Sequence, residues 1–235
     1  MIHPLIICRI IGNLLILEAV AVSACLGVSW YYNESILSAY IETLLILSGL
    51  GVLLLYKGRG ASKEVSKKDS YIVVTLCWLV FPAFAALPFL FSGHIPNVTD
   101  AFFEAVSGFT TTGASIIDNL EEFPQSLLFW RSMTQWIGGL GIVFFTIAVL
   151  PVFGMGNMPL LSAESVGPIR TKIHPKVTVT SRWILLVYVC LTLFGILSLQ
   201  LSGMDFFDAT CHSMAAVSTG GFSTRQAALM LSNLL

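Results

Sequence analysis

The chain has 235 residues, 56% of them hydrophobic and 11% charged, with a mean hydropathy of +0.85 and a formal net charge of −1. An ordinary soluble domain carries roughly 25% charged residues, so this composition excludes that class before any motif is read. Cys8, Cys25, Cys77, Cys190 and Cys211 are odd in number, scattered and without CxxC or metal-finger spacing. They read as reduced packing residues.

A membrane-spanning helix needs about 20 mostly apolar residues. Five runs meet that length: Leu5–Trp30, Ile36–Tyr56, Ser70–Phe91, Leu127–Phe153 and Ser181–Leu201. Barrel strands are excluded because they alternate apolar and polar residues over about ten positions, whereas these runs are continuous. Within the first run, Val22–Cys25 looks like a lipoprotein processing site. Glu18 interrupts the stretch before it, however, and the apolar run continues past Cys25 to Tyr32, so an uncleaved helix is expected. Glu18 and Glu42 lie inside the first two spans. An intramembrane carboxylate is a functional candidate by default, and pairing between helices or protonation is the plainer reading.

The second and third runs are separated by Lys57, Arg59, Lys63, Lys67 and Lys68. Arg170, Lys172, Lys176 and Arg182 precede or open the fifth. Between the third and fourth, His94 to Gln125 holds Asp100, Glu104, Asp118, Glu121 and Glu122 with no Lys or Arg. The positive-inside rule makes the basic stretches cytoplasmic, the acidic stretch external and the N-terminus cytoplasmic.

Asp100–Phe109 and Asp208–Val217 are too apolar for external loops and too short to span. Each follows a span and runs into a Thr/Ser/Gly tract. That order predicts a re-entrant element, which survives at membrane depth only where protein or a watery cavity surrounds it. Asp100–Ser115 aligns without a gap on Asp208–Ser223, matching Asp100 to Asp208, Ala101 to Ala209, Thr111 to Thr219, Gly113 to Gly221 and Ser115 to Ser223. Thr110 meets Ser218, a hydroxyl for a hydroxyl. Duplicated units of this kind are common in membrane transport proteins.

A bare monovalent cation in hydrocarbon costs on the order of tens of kcal/mol. A filter offsets that cost by replacing the hydration shell with rings of oxygen. Thr110, Thr111, Thr112 and Gly113 form one candidate row of backbone carbonyls; Ser218, Thr219, Gly220 and Gly221 form the other. Gly113 and Gly221 suit a backbone with positive φ that turns carbonyls inward, which a residue bearing Cβ resists. Asp100 and Asp208 suit helix N-termini, leaving the negative helix ends facing the tracts. The acidic residues of the outer mouth raise local cation concentration. A Thr/Gly tract after a short apolar segment is also what an ordinary loop looks like. The register of two such tracts favours the filter.

These stretches resemble the Trk/Ktr/HKT superfamily of potassium transporters, and in particular its TrkH-type members. The resemblance rests on DAFFEAVSGFTTTGAS (100–115), FWRSMTQWIGGLGI (129–142), LPVFGMG (150–156), AESVGP (163–168) and GGFST (220–224). It implies an all-α polytopic membrane fold of potassium-channel-like helix–pore loop–helix repeats, with two extra N-terminal helices peripheral to the pore. Residues 1–69 are then the N-terminal helix pair with its basic cytoplasmic loop. Residues 70–153 are the first repeat, 154–176 a cytoplasmic linker, and 177–235 a second repeat without its return helix. The family's filter positions carry over to Thr110–Gly113 and Ser218–Gly221. The resemblance also implies a bacterial inner-membrane location, a homodimer and a cytosolic TrkA-type nucleotide-binding regulatory subunit. Third and fourth repeats would come from the rest of a longer chain or from another polypeptide. Potassium is the transported ion, with no cofactor and no nucleic-acid partner expected.

Arg131 sits near the external end of its span, where it braces the pore loop through the Asp118/Glu121/Glu122 segment or snorkels to the interface. Gly138, Gly139 and Gly141 follow no strand, so they read as close helix packing rather than a nucleotide fingerprint. His212 stands opposite Glu104 in the repeat and reads as a packing residue of its pore helix. Asn97-Val98-Thr99 matches a glycosylation sequon and is discounted in a protein of bacterial type. An enzyme is not expected, since no HExxH, GxSxG or Walker pattern is present. The remaining alternative to permeation is a non-conducting truncated subunit that assembles with or regulates full-length partners.

Overall fold

The computed structural model describes residues 3–61, 67–149 and 174–226. Every regular element among them is a helix: α1 (Pro4–Tyr31), α2 (Leu37–Lys57), α3 (Lys67–Ala85), α4 (Leu87–Phe91), α5 (Val98–Phe109), α6 (Gln125–Val149), α7 (His174–Leu201) and α8 (Phe206–Val217). Pro4–Tyr31, Leu37–Lys57, Tyr71–Phe91 and Arg182–Leu201 are long and apolar enough to cross a membrane. The run expected over Leu127–Phe153 is α6, whose 25 residues extend about 37 Å at the helical rise; positions 150–153 lie outside the described residues. So do most of the expected linker and the LPVFGMG and AESVGP stretches.

The third span is broken into α3 and α4. Pro88 has no N–H to give back to the preceding turn, and its ring crowds that turn's carbonyl. Trp130 of α6 docks on the break, donating its indole N–H to the carbonyl of Ala85 at 2.9 Å. Both α3 and α6 are thereby fixed in rotation as well as in position.

Helices α1 and α2 form an antiparallel hairpin, with Gly12 packed on the backbone of Gly51 and Leu55. α1 passes uninterrupted through Cys25, which is fully buried. The pair is packed against the rest of the bundle. α1 packs on both α3 and α6, and the short loop after α1 reaches the start of α6. There Glu34 accepts hydrogen bonds from the N–H and the hydroxyl of Ser126, and the Tyr40 hydroxyl donates to Ser126 at 2.9 Å. A carboxylate on the first turn of a helix takes up free N–H groups and meets the positive end of the dipole. Glu34 caps α6 from another helix pair.

The two ends of the bundle differ in charge. At one end lie Glu34, Asp118, Glu121, Glu122 and Asp205, joined by the Glu34–Ser126 contact and by the Tyr32–Phe207 ring pair at 5.7 Å. At the other, His3 bonds Asp69 and Arg9 bonds the carbonyl of Ala61, and Lys57, Arg59 and Lys68 lie where α2 ends and α3 begins. Glu18 is buried in the bundle with neither carboxyl oxygen hydrogen-bonded among the described residues, whereas Glu42 is exposed on α2. The two do not pair.

Candidate functional site

Helices α5 and α8 are the two short apolar segments, 12 residues each. Their N-caps are Asn97 and Asp205, which accept from the N–H of Thr99 and Phe207. Asp100 and Asp208 are therefore not the caps expected from the sequence. They stand one turn in, where their charge still favours the positive helix end. The sequon asparagine is occupied as a cap.

Both helices end in the same way. Thr111 N–H donates to Gly108 O and Thr112 N–H to Ser107 O. In the second unit Thr219 N–H donates to Ala216 O and Gly220 N–H to Ala215 O. This is a Schellman closure, whose left-handed position is normally glycine. Here it is threonine, with φ of 53° at Thr111 and 57° at Thr219. A β-branched residue in that region is a genuine outlier, and strain of this kind collects at functional sites. Two residues on, Gly113 and Gly221 have φ of 76° and 81°. Each tract thus carries left-handed residues at alternate positions, at the same places in both units. The helix C-terminal ends, which carry partial negative charge, abut the tracts.

The tracts stand side by side. A methyl group built on Gly113 would come within 2.0 Å of the Gly220 carbonyl oxygen. One face of α6 lies behind both: Arg131, Thr134, Gln135, Gly138 and Gly139, at the spacing of a single helical stripe. A methyl on Gly138 would meet the Phe109 carbonyl at 2.1 Å, and one on Gly139 would meet the Ser218 Cα at 3.1 Å. Gly138 and Gly139 thus bring α6 against the ends of both α5 and α8, while Gly141 has nothing within 4 Å.

Arg131 neither snorkels nor reaches the 118–122 segment. It is 1% exposed. Its Nε donates to Glu104 at 2.7 Å, one terminal nitrogen to the hydroxyl of Ser115 at 3.0 Å, and the other to the carbonyl of Ser223 at 3.1 Å. Its guanidinium also lies 4.1 Å from the centre of the Phe222 ring. Glu104, itself buried, accepts the N–H of Ile116. A buried pair with its remaining donors and lone pairs engaged is the form in which charges are tolerated away from water. One arginine therefore holds the segments that follow both tracts.

In the second unit Asp208 accepts from Thr224 and pairs with Arg225 at 2.7 Å. His212 is more than packing: its Nε2 lies 3.3 Å from the Thr224 hydroxyl. Beside the first unit, a cleft of about 410 Å³ is lined by His94, Asp100, Asp118, Asn119 and Glu122 among others. Its three carboxylates set a negative potential at that end of the tracts.

Duplicated helix–tract units embedded among long apolar helices define an all-α polytopic membrane protein. The family described as TrkH, cation transport protein, matches residues 36–233, and the chain belongs to that family. It is 39% identical over 230 residues to the Trk system potassium uptake protein TrkH of Escherichia coli K12, covering 97% of this chain and 47% of that protein. An uncharacterised cation transporter of Methanocaldococcus jannaschii is 35% identical over 196 residues, or 83% of this chain and 40% of that one. The crystal structure of the potassium transporter TrkH from Vibrio parahaemolyticus superposes with a TM-score of 0.82 at 35% identity, covering 94% of this chain and 44% of that one. The chain spans about half the length of the curated relatives it matches.

Proposed function

We propose that this chain supplies two of the oxygen-lined tracts of a potassium-uptake pathway, Thr110–Gly113 and Ser218–Gly221. The observation that carries the reading is the repeated backbone: left-handed residues at Thr111, Gly113, Thr219 and Gly221, with Gly113 facing the Gly220 carbonyl. Carbonyls placed in such rows substitute for the water around a desolvated cation. The acidic end of the bundle is external and the basic end cytoplasmic, as the positive-inside rule requires. The protein works in the bacterial inner membrane with its N-terminus in the cytoplasm.

In this reading residues 1–69 are a helix pair that braces α6. Residues 70–153 form one helix–pore loop–helix repeat, 154–176 a cytoplasmic linker, and 177–235 the opening of a second repeat. A closed ring of ligands needs more than two tracts. The others come from chain beyond these 235 residues or from another polypeptide. Relatives named as potassium transporters support potassium as the ion, and a homodimer with a cytosolic TrkA-type regulatory subunit is the assembly the family resemblance implies. Rubidium uptake by cells limited for potassium tests the proposal. Gly113→Arg should abolish uptake while leaving the protein in the membrane. Growth of that variant at limiting potassium would remove the first tract from the pathway.

A further inference from the structure

We propose that Gln135 is a positioning residue that sets how strictly the second tract discriminates potassium from sodium. The inference rests on the filter reading above and adds to it the side chain that holds one tract in place.

The two tracts share a backbone but are held differently. In the first, the Ser107 hydroxyl donates to the Ala114 carbonyl at 2.6 Å, the Thr110 and Thr112 hydroxyls bond each other at 2.7 Å, and Glu104 accepts the Ile116 N–H at 3.1 Å. The repeat places Ala215 opposite Ser107, Gly220 opposite Thr112 and His212 opposite Glu104. Among the described residues the first two ties have no counterpart in the second tract, and the third is reduced to His212 Nε2 at 3.3 Å from the Thr224 hydroxyl. A side chain from α6 stands in for the two missing ties: Gln135 Oε1 accepts the N–H of Phe222 at 3.1 Å.

Gln135 is fully buried. Its orientation is fixed by chemistry, because only the amide oxygen can accept from a backbone N–H. The amide nitrogen then has no partner among the described residues and lies against Gly220, where a methyl would come within 2.3 Å of the Gln135 Cδ. A buried donor without an acceptor is unfavourable. Methionine would fill the same space without that penalty, so packing alone does not call for glutamine here. Gly220 in turn admits the amide to the tract's backbone.

Potassium and sodium differ in size, and discrimination depends on how the carbonyl rows keep their spacing and field. Without Gln135 the Phe222 N–H loses its acceptor, the second tract relaxes, and the smaller ion is admitted more readily.

The test is the ratio of rubidium to sodium uptake in cells expressing the protein as its gene encodes it, normalised to protein in the membrane. Gln135→Met, close in shape, should lower the ratio about tenfold, the scale of one lost buried hydrogen bond. Gln135→Asn, which keeps the amide but cannot reach Phe222, should do the same and serves if the methionine variant fails to insert. Gln135→Glu keeps an oxygen for the Phe222 N–H and should stay within about twofold of wild type. A merely structural role would change the amount of protein and leave the ratio alone. An unchanged ratio in Gln135→Met or Gln135→Asn, with wild-type rubidium uptake intact, overturns the role of Gln135 alone. Wild-type protein that carries no rubidium overturns the filter reading, and this inference with it.

Discussion

Replacing Gly113 with alanine adds one methyl group, and the structure says where it goes. At φ of 76° the new Cβ would lie 2.0 Å from the Gly220 carbonyl oxygen, whereas ordinary van der Waals contact begins at about 3.4 Å. The obstacle is backbone, so no rotamer relieves it; one tract must move by more than an ångström. Overpacking of this kind costs about 1–3 kcal/mol, and holding alanine in the left-handed region adds roughly 1–2 kcal/mol. Together these disfavour the present arrangement of the tracts by about 2–5 kcal/mol, or roughly 30-fold or more in population at 1.36 kcal/mol per factor of ten. The expected result for Gly113→Ala is a loss of rubidium uptake of at least about 30-fold, with normal amounts of protein in the membrane. Gly49→Ala is the control, since Gly49 meets nothing within 4 Å and lies inside α2. Alanine is favoured over glycine in a helix by about 0.5–1 kcal/mol, so that variant should transport as wild type. Uptake by Gly113→Ala within twofold of wild type would refute the claim that the two tracts share one crowded space.

Other outcomes follow from the same geometry. Arg131→Leu strands Glu104 in a buried site and should destabilise the protein by about 3–5 kcal/mol, read as a fall in its melting temperature in detergent. The double variant Arg131→Leu/Glu104→Leu should recover part of that loss, and strict additivity would show that the two are uncoupled. Glu34→Ala removes the cap on α6 and should cost about 0.5–2 kcal/mol by the same measurement; no change would mean that water caps the helix equally well. Gly138→Val drives a branched side chain into the Phe109 carbonyl and should lower both stability and uptake. A tolerated valine there would contradict the close approach of α6 to the end of α5.

The spans were legible because an apolar run of about 20 residues has few other uses. The break after Ala85 was less so, although Pro88 marked it. Pro82 and Pro88 lie in the same run, yet α3 continues through Pro82, so proline alone does not say which turn gives way. The two tracts were found from their register, and positive φ at Gly113 and Gly221 was expected from glycine's freedom. The left-handed threonines were not, because nothing local marks Thr111 or Thr219 as strained; the geometry is imposed by the Schellman closure. The helix starts were placed one turn late for a related reason. Asp100 and Asp208 were the matching acids, while the caps Asn97 and Asp205 differ in type and fell outside the aligned stretch.

The side chains behind the tracts were the larger omission. Arg131, Thr134, Gln135, Gly138 and Gly139 share one helical face, a polar and small stripe in an apolar span. That periodicity was available from the sequence. Periodicity shows which residues share a face, however, and not what the face meets. The Arg131–Glu104 pair has its own signal, as Arg131 is the lone charge of its apolar run and Glu104 lies inside a short apolar segment, and such charges need partners. The acidic 118–122 loop, close to Arg131 in sequence, hides that pairing. Gln135 carried no signal, since a single glutamine in a span is compatible with any neighbour. The bracing role of α1 and α2 was likewise hidden, because it depends on Glu34 reaching a residue far along the chain.

The position of the ion decides whether the two tracts line its pathway. Anomalous scattering from crystals of the protein grown in rubidium would locate it directly. Density between the carbonyls of Thr110–Gly113 and Ser218–Gly221, within coordination distance of both rows, is the predicted result. Tracts that lie at opposite faces of the membrane, or rubidium bound elsewhere with none between them, would contradict it.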